Sequence, residues 1–192
     1  VTFSAPSSNG GSAITSYTVT SSPGGFTGTG GSSPITVTGL TNSVSYTFTV
    51  TATNDVGTSV ASSPSNTIIP ATVPDAPTIG TATGGNGEAV ITFSAPGSNG
   101  GLPVTSYTVT SSPGGITATG GSSPIVITGL TNGTTYTFTV VATNVVGDSV
   151  ASATSNSVVP VTVPGAPTIG TATRGNGEAT ITFSAPVSNG GS

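Results

Sequence analysis

The sequence lacks the side chains on which most enzyme catalysis and zinc binding depend. Its 192 residues include no histidine, cysteine, methionine or tryptophan, and only 3% are charged. Without histidine or cysteine, catalytic triads built on either residue and the usual zinc sites are excluded. The absence of cysteine also removes disulfide bonds as a marker of the cellular compartment. We therefore expect a protein that is not an enzyme, with no cofactor and no catalytic, cofactor-binding or metal-binding residues.

The few charged side chains are scattered and do not form a catalytic pattern. Paired carboxylates can carry out glycoside hydrolysis, but no two acids are adjacent in the sequence. We interpret them as solvated acids of turns and joints. A weak calcium site formed by Asp75 and Glu88 is the alternative, although calcium sites usually have more carboxylates. The charged residues are Asp55, Asp75, Glu88, Asp148, Arg174 and Glu178.

The low charge also limits the partners that this chain can bind. A formal net charge of −4 over 192 residues gives no electrostatic attraction for nucleic acid or an anionic membrane. No apolar run approaches the roughly 18 residues that a membrane span needs. We expect no nucleic-acid partner and no membrane insertion by this segment. Arg174 is the only Lys or Arg residue, so trypsin has one conventional site, which suits a secreted protein.

The most informative feature that the sequence does have is an internal repeat. VTFSAPSSNGG begins at Val1, ITFSAPGSNGG at Ile91 and ITFSAPVSNGG at Ile181, so the period is 90 residues without insertions. This period is too long for a solenoid repeat and suits one small β-domain per copy. The chain is therefore a stretch of a tandem array of near-identical domains.

Proline-rich joints mark the boundaries between copies. Residues 74–77 read Pro-Asp-Ala-Pro and residues 164–167 read Pro-Gly-Ala-Pro. Proline fixes φ and favours an extended backbone, so such joints are semi-rigid. The sequence predicts a repeat without its first strand over residues 1–73, a complete repeat over 74–163, and the first two strands of a third over 164–192.

Within the complete copy, short apolar-polar alternations lie between turn clusters. Ala89, Ile91 and Phe93 share one face of a strand, as period-two alternation requires. The first strand is predicted over residues 78–83 and the last over 149–159. No segment shows helical periodicity. The spacing of strands and turns predicts an all-β protein of the β-sandwich type.

One stretch of the complete copy carries a family resemblance. Residues 128–140 read TGLTNGTTYTFTV, which resembles the fibronectin type III signature. In that family a Leu six residues before a Tyr forms a tyrosine corner, whose hydroxyl bonds to the backbone upstream. Here the pair is Leu130 and Tyr136, and the first copy repeats it as Leu40 and Tyr46. We expect Tyr136 to be buried, with its hydroxyl bonded near residues 130–133.

The resemblance spans the whole chain and implies an immunoglobulin-like fold. It implies tandem fibronectin type III-like β-sandwiches with seven strands per complete copy, the first, second and fifth packing against the rest. Phe93 stands where many members carry a core Trp, which implies a somewhat smaller core. Some members have an Arg-Gly-Asp motif in the loop where this chain has Val146-Gly147-Asp148, so integrin binding does not carry over.

Possible ligand-binding surfaces have simpler interpretations. Asn132-Gly133-Thr134 matches an N-glycosylation acceptor, but it also forms the turn before the tyrosine corner. Sugar-binding modules usually expose aromatic rings, whereas all four tyrosines of this chain fall at inward strand positions, which favours core. These are Tyr17, Tyr46, Tyr107 and Tyr136.

Threonines occupy the outward positions of several strands. The simplest interpretation is β-propensity on a solvated face; O-glycosylation, lateral packing between arrays and ice binding are alternatives. Ice binding is the least favoured, because it needs a flat face and sheets twist. The positions are Thr18, Thr20, Thr47, Thr49, Thr108, Thr110, Thr137 and Thr139.

These observations lead to a structural rather than catalytic function. We expect a segment of a long extracellular or cell-surface array that acts as a stalk, adhesin shaft or filament subunit. The alternative is a spacer module of a secreted polysaccharide-degrading enzyme. A receptor-like binding module is less favoured because the loops are almost copied between repeats.

The partners predicted from the sequence are neighbouring copies of the same repeat, through self-association or in a continuous array. A two-stranded hairpin is marginal in water, and a sandwich without its first strand exposes an unpaired edge. We expect neighbours to complete both ends, with residues 168–173 pairing beside a strand of the next unit. A continuous polypeptide is favoured over non-covalent donation, because residues 181–183 would compete with residues 1–3 for one position.

Overall fold

The structure, a computed structural model, describes residues 1–191 as a set of antiparallel sheets. These residues form twelve strands and no helix, and hence no helix able to cross a membrane. The all-β fold class is confirmed. The strands are β1 Ile14–Ser22, β2 Thr27–Gly30, β3 Thr47–Asn54, β4 Gly57–Thr58, β5 Thr78–Gly84, β6 Glu88–Ser94, β7 Ser106–Ser112, β8 Thr117–Gly120, β9 Ile125–Thr128, β10 Thr137–Thr143, β11 Thr168–Arg174 and β12 Ala179–Ser184.

The chain divides into two compact units. Unit 1 contains Val1–Thr72 together with Gly100–Leu102, and unit 2 contains Val73–Asn99 and the residues from Pro103 onward. Unit 1 is built on the sheet β2-β1-β3-β4. Its buried core side chains are Tyr17, Val19, Ile35, Tyr46 and Phe48.

Unit 2 contains the complete sandwich. One sheet has the order β5-β6-β9 and the other the order β10-β7-β8, which are the first, second and fifth strands against the rest, as the family resemblance implies. Its core is larger than that of unit 1 and consists of Ala82, Ala89, Ile91, Phe93, Tyr107, Val109, Ile125, Ile127, Leu130, Tyr136, Phe138, Val140, Ala142 and Val158.

Strict alternation places these side chains inside. In β7, Tyr107, Val109 and Ser111 are buried while Thr108 and Thr110 lie on the other face, because successive side chains of a strand point to opposite faces. The position of the missing tryptophan is filled by Phe93, whose ring centroid lies 4.8 Å from that of Tyr107 in a tilted arrangement. Aromatic pairs favour such geometry, so the smaller ring still packs against an aromatic neighbour.

The last predicted strand, residues 149–159, differs from the expectation. It runs beside β10, but it is not a regular strand. Ser152 donates its backbone N–H to the Val140 carbonyl at 2.9 Å, while the Val140 N–H donates to the Ser152 hydroxyl at 3.0 Å. That hydroxyl donates in turn to the Ala153 carbonyl at 2.7 Å. A serine side chain therefore stands where a regular ladder would have a carbonyl.

The same bonding recurs every three residues of this segment. Ser149 bonds Ala142 in the same way and Ser155 bonds Phe138. Three residues of the segment therefore span two residues of β10, or about 6.7 Å. The segment therefore rises only about 2.2 Å per residue, against about 3.3 Å in an extended strand, so it is not a regular strand.

The hairpin β11–β12 closes the described part of unit 2. Its register repeats that of β5–β6: Ile169 lies opposite Phe183 as Ile79 lies opposite Phe93. All residues of both strands are exposed. An apolar face that is covered in β5–β6 is therefore open to solvent in this hairpin.

Candidate functional surfaces

The acidic side chains are not brought together by the fold. Among residues 1–191, no group of three or more acids, histidines or cysteines is placed to hold a metal ion. Asp75 donates its N–H to Ser98 beyond the end of β6, whereas Glu88 begins that strand. A strand of seven residues is about 20 Å long, so Asp75 and Glu88 lie at opposite ends and do not form the calcium site considered above.

The tyrosine corner is present in both units. The Thr131 backbone N–H donates to the Tyr136 hydroxyl at 3.1 Å, and Tyr136 is 5% exposed. Thr41 and Tyr46 make the same bond at 3.1 Å. The predicted burial and upstream backbone bond are confirmed. The N–H of Thr131 lowers the pKa of Tyr136 below its usual value of 10.0, with hydroxyl contacts to Thr131 and Thr134 adding to this and desolvation opposing it.

No tyrosine in the described residues forms an exposed platform for a sugar ring. All four are buried, as the sequence predicts. The acceptor asparagine of the glycosylation motif is also engaged. Asn132 accepts the Gly87 N–H at 2.8 Å and donates to the Asn86 side chain at 2.8 Å. Its amide therefore tethers the turn before the tyrosine corner to the turn between β5 and β6.

The outward threonines line up across strands rather than along a single strand. Thr20 lies opposite Thr27 on one side and Thr49 on the other. The second copy repeats this row with Thr110 between Thr117 and Thr139. Each row is a line of half-buried or exposed hydroxyls and methyl groups on a solvated sheet face. This arrangement agrees with cross-strand pairing, in which Thr–Thr pairs are favourable.

The joint that leads to β11 is held by a glycine-rich loop within unit 2. Thr162 donates its N–H to the Gly190 carbonyl at 2.7 Å, and Gly165 donates to Ser188 at 3.0 Å. A Cβ atom on Gly190 would collide with the Thr162 carbonyl, so only glycine permits this approach. The Asn-Gly-Gly sequence is thus needed where the joint meets the next copy.

Another candidate interaction surface is the one that receives strand β5 in unit 2. The Asn156 side chain accepts the Ala82 N–H at 2.8 Å and donates to the Ala82 carbonyl at 3.0 Å. On the other side, the Thr81 N–H donates to the Thr92 hydroxyl at 2.8 Å. These side chains bind the strand from both edges while Ala82 enters the core. We call the surface that receives this strand the strand seat.

The corresponding position in unit 1 lies beside residue 1, where the described chain begins. It forms a cavity of about 340 Å³ lined by Val1, Thr2, Thr36, Val37, Leu40, Phe48, Ser65, Asn66 and Ile68. Leu40 is half-buried and Ile68 is exposed, whereas their counterparts Leu130 and Val158 in unit 2 are buried. These residues correspond to side chains that lie in the core of the complete copy.

Sequence reasoning did not find the strand seat or the serine bonding. The serines recur with period three, which is neither a strand nor a helix period, so the usual patterns do not detect them. Asn156 lies in the predicted strand 149–159, and nothing in its sequence neighbourhood indicates a side-chain contact with Ala82. The identical spacing of Ser59, Ser62 and Ser65 in the first copy was the available signal.

Comparison with known proteins gives one family and several solved structures. The model of the family described as "Fibronectin type III domain" matches residues 1–68 and 75–158. No curated protein matches the chain.

Three solved structures illustrate the similarity. Domains A168–A170 of titin are 23% identical, with a TM-score of 0.46, over 63% of this chain and 42% of that one. The FN1–FN3 domains of chicken CNTN1 are 22% identical, with a TM-score of 0.37, over 85% and 64%. The twitchin kinase region from C. elegans is 25% identical, with a TM-score of 0.43, over 48% and 18%. The chain thus spans less than two thirds of each solved chain.

Proposed function

Since the chain belongs to the fibronectin type III family, we propose that it is a non-catalytic structural segment of a long extracellular or cell-surface repeat array. Tandem domains of this family are typical of structural and adhesion modules. The array would act as a stalk, an adhesin shaft or a filament subunit. Its repeats would meet at residues 74 and 164, and its partners would be neighbouring copies of the same repeat.

The observation that carries this proposal is the copying of loops as well as core residues. Loops vary in proteins that use them to bind different ligands, yet Ser-Asn-Gly-Gly occurs at residues 8–11, 98–101 and 188–191. In unit 2 the last of these loops is bonded to the joint through Gly190 and Ser188. A loop that is bonded to a joint supports a connecting role between copies.

The chemistry of the surface also supports this function. The described residues hold scattered acids and buried tyrosines, so the exposed surface consists mainly of short uncharged side chains. Such a surface offers neither reactive groups nor a strong electrostatic field. It suits a spacer that holds other domains apart in the extracellular medium.

The test is the cellular location and accessibility of the repeat. An antibody raised against residues 74–163 should label intact, unpermeabilised cells of the source organism, and external proteinase K should remove the signal. Labelling that appears only after lysis would contradict an extracellular array. Recovery of the antigen from culture fluid with polysaccharide-degrading activity would instead favour the spacer of a secreted enzyme.

A further inference from the structure

We propose that the Ser-Asn-Gly-Gly loop of each copy docks on the copy that precedes it, and that this contact couples the stability of adjacent repeats. In the second copy the loop comprises residues 98–101. The inference rests on the proposed array function and deepens it, because it names the contact by which one repeat stabilises its neighbour. Where repeats touch only their neighbours, such contacts add to the intrinsic stability of each repeat.

The loop of the second copy packs with residues of the first copy. Gly100–Leu102 follow the first joint in the sequence, yet they belong to unit 1, which otherwise consists of Val1–Thr72. The Thr72 N–H donates to the Gly100 carbonyl at 2.8 Å, and Gly100 is buried. A loop that contacted only its own sandwich would belong to unit 2 instead.

The surface that receives the loop has two parts, the turn before the tyrosine corner and the linker of residues 70–73, which leads into the joint. The Ser43 N–H of the turn donates to the Pro70 carbonyl of the linker at 3.1 Å. A Cβ atom on Gly101 would lie 3.0 Å from the Ser43 nitrogen and 3.2 Å from the Pro70 oxygen. Gly101 also has a φ of +101°, which favours glycine. The loop therefore reaches the turn and the linker at once.

The next boundary between copies repeats these contacts within unit 2. The Thr162 N–H donates to the Gly190 carbonyl at 2.7 Å, and the Gly133 N–H donates to the Pro160 carbonyl at 2.9 Å. A Cβ atom on Gly191 would lie 2.6 Å from the Gly133 nitrogen. The counterparts of these residues at the first boundary are Thr72, Gly100, Ser43, Pro70 and Gly101. The same bonds at two boundaries indicate a contact that the repeat sequence encodes.

Each copy orders its own loop before the loop docks. Asn144, which is 3% exposed, donates its side-chain N–H to the Asn99 carbonyl at 2.9 Å. Asn54 makes the same bond to the Asn9 carbonyl at 2.9 Å in the first copy, so this brace belongs to the repeat itself. A loop that is already ordered loses little conformational entropy when it binds.

The sequence varies beside the loop but not within it. The residue before the loop is Ser7, Gly97 or Val187, and all three are exposed. The four loop residues are the same in all three copies. The constant positions are therefore the ones that bond to the linker and approach the turn, whereas the exposed position beside them is free to change.

Docking makes the loop a ligand of the preceding copy. A group that binds only the folded state stabilises that state, so the docked loop raises the stability of the turn that it contacts. If the loop leaves, Thr72 loses the carbonyl that accepts its N–H, and the turn at Ser43 loses a neighbour. The amides of Ser43 and Thr72 therefore report whether the loop is docked.

The experiment is amide hydrogen exchange on the full 192-residue chain. We expect Gly101→Ala to speed exchange at Ser43 and Thr72 by roughly tenfold, the factor that corresponds to loss of one hydrogen bond, because the added Cβ displaces the loop. Gly129→Ala is the control. Gly129 also lies in the second copy, has a φ of +81°, and has nothing within 4 Å of an added Cβ.

The control variant carries comparable backbone strain without the contact, so exchange at Ser43 and Thr72 should stay within about twofold of the parent chain. The Val109 amide shows in each variant that the second copy remains folded. Equal acceleration by both variants, with Val109 still protected, would overturn docking. Unchanged exchange at Ser43 and Thr72 in Gly101→Ala would overturn it as well.

Thr72→Pro tests the same contact from the linker and leaves both cores unchanged. Proline removes the N–H that donates to Gly100, so exchange at Ser43 should again speed up several-fold. Ala71→Pro is the matched control, because the described residues show no hydrogen bond of the Ala71 N–H. Equal effects of the two prolines would show a response to linker stiffness and would overturn docking.

The two proposals fail separately. A loop that does not dock would leave the antibody result on cell-surface location unaffected. Conversely, labelling only after lysis would contradict the extracellular array without changing the exchange rates of Ser43 and Thr72.

Discussion

At the residue scale, hydroxyl groups replace backbone groups as hydrogen-bond partners. The Tyr136 hydroxyl accepts the Thr131 N–H, and the Ser152 hydroxyl accepts that of Val140. Both donors lie in or beside the core, where an unpaired N–H is costly. At these positions a hydroxyl side chain satisfies a backbone N–H group. Substitutions that remove only the hydroxyl should therefore lower the stability of the fold measurably.

The substitution Tyr136→Phe removes the acceptor of the Thr131 N–H without changing the ring. We expect the melting temperature of unit 2 to fall by roughly 5 °C, as is typical for loss of one partly buried hydrogen bond in a domain of this size. Circular dichroism measures the change. Tyr107→Phe is the control, because the described residues show no hydrogen bond of the Tyr107 hydroxyl; an equal fall for both variants would contradict the tyrosine corner.

The pH dependence of stability should come mainly from Tyr136 at alkaline pH. The chain has no histidine and only five acids, so we expect nearly constant melting temperature from about pH 3 to 9. The pKa of Tyr136 is lowered in the folded state, so between that pKa and about 10 the unfolded state binds more protons. Its contribution to stability is therefore absent at lower pH and rises as the pH approaches 10.

The measurement is the difference in melting temperature between the parent chain and Tyr136→Phe. This difference should grow as the pH is raised from 8 to 10. A difference that stays constant or shrinks would contradict the lowered pKa. A large loss of stability near pH 4 would instead point to a buried or metal-bound carboxylate.

At the element scale, the segment beside β10 is the least regular part of the sandwich. Its serine hydroxyls, rather than its carbonyls, receive the N–H groups of β10. The segment lies at the edge of the sheet β10-β7-β8, where a regular strand would offer an outer row of groups to another chain. The hydrogen bonds of this segment recur every three residues, whereas those of a regular β-strand recur every two. A strand of another chain would therefore not pair well with this edge, which disfavours extension of the sheet on that side.

Ser152→Ala tests this bonding. The substitution leaves the buried Val140 N–H without its acceptor and the Ala153 carbonyl without its donor, so we expect a loss of about 1–3 kcal/mol in the free energy of unfolding. Ser62→Ala removes the equivalent bonds to Val50 and Ser63 where the serine is exposed. Water can replace those bonds, and a smaller loss is expected. Hydrogen exchange resolves both units in one sample; equal losses would contradict the argument.

The strands that follow a two-residue alternation could be predicted from the sequence, whereas other features could not. β6, β7 and β10 have alternating apolar side chains, and the family resemblance gave their order in the sheets. Residues 149–159 also have small apolar residues at intervals, but their conformation depends on the hydroxyl bonds to β10. The Asn156–Ala82 contact joins residues 74 positions apart, and no local pattern encodes such a distance.

At the scale of the whole molecule, the two units contain nearly the same sequence, and the described residues of unit 1 begin at the position that corresponds to Ile91 of β6. Unit 2 has strand β5 in its strand seat, and the same position beside Val1 in unit 1 is a cavity of about 340 Å³. A pair of near-identical domains in one chain is an internal control, since solvent, concentration and modification are the same for both. Differences between corresponding residues therefore report on the covering strand.

In a polypeptide of these 192 residues, unit 1 should unfold before unit 2. Several apolar side chains that are buried in unit 2 are only partly buried in unit 1, among them the counterparts of Ile127, Leu130, Val140 and Ala142, namely Val37, Leu40, Val50 and Ala52. Full burial of such a side chain contributes about 1.5–3 kcal/mol. Partial exposure of several therefore predicts a free energy of unfolding lower by roughly 5 kcal/mol for unit 1.

Hydrogen exchange at Val19 and Val109 measures this difference directly, because both side chains are fully buried and occupy equivalent positions in β1 and β7. At low protein concentration the Val19 amide should exchange much faster than that of Val109. Equal exchange at both positions would mean that the partial exposure of these side chains does not weaken unit 1.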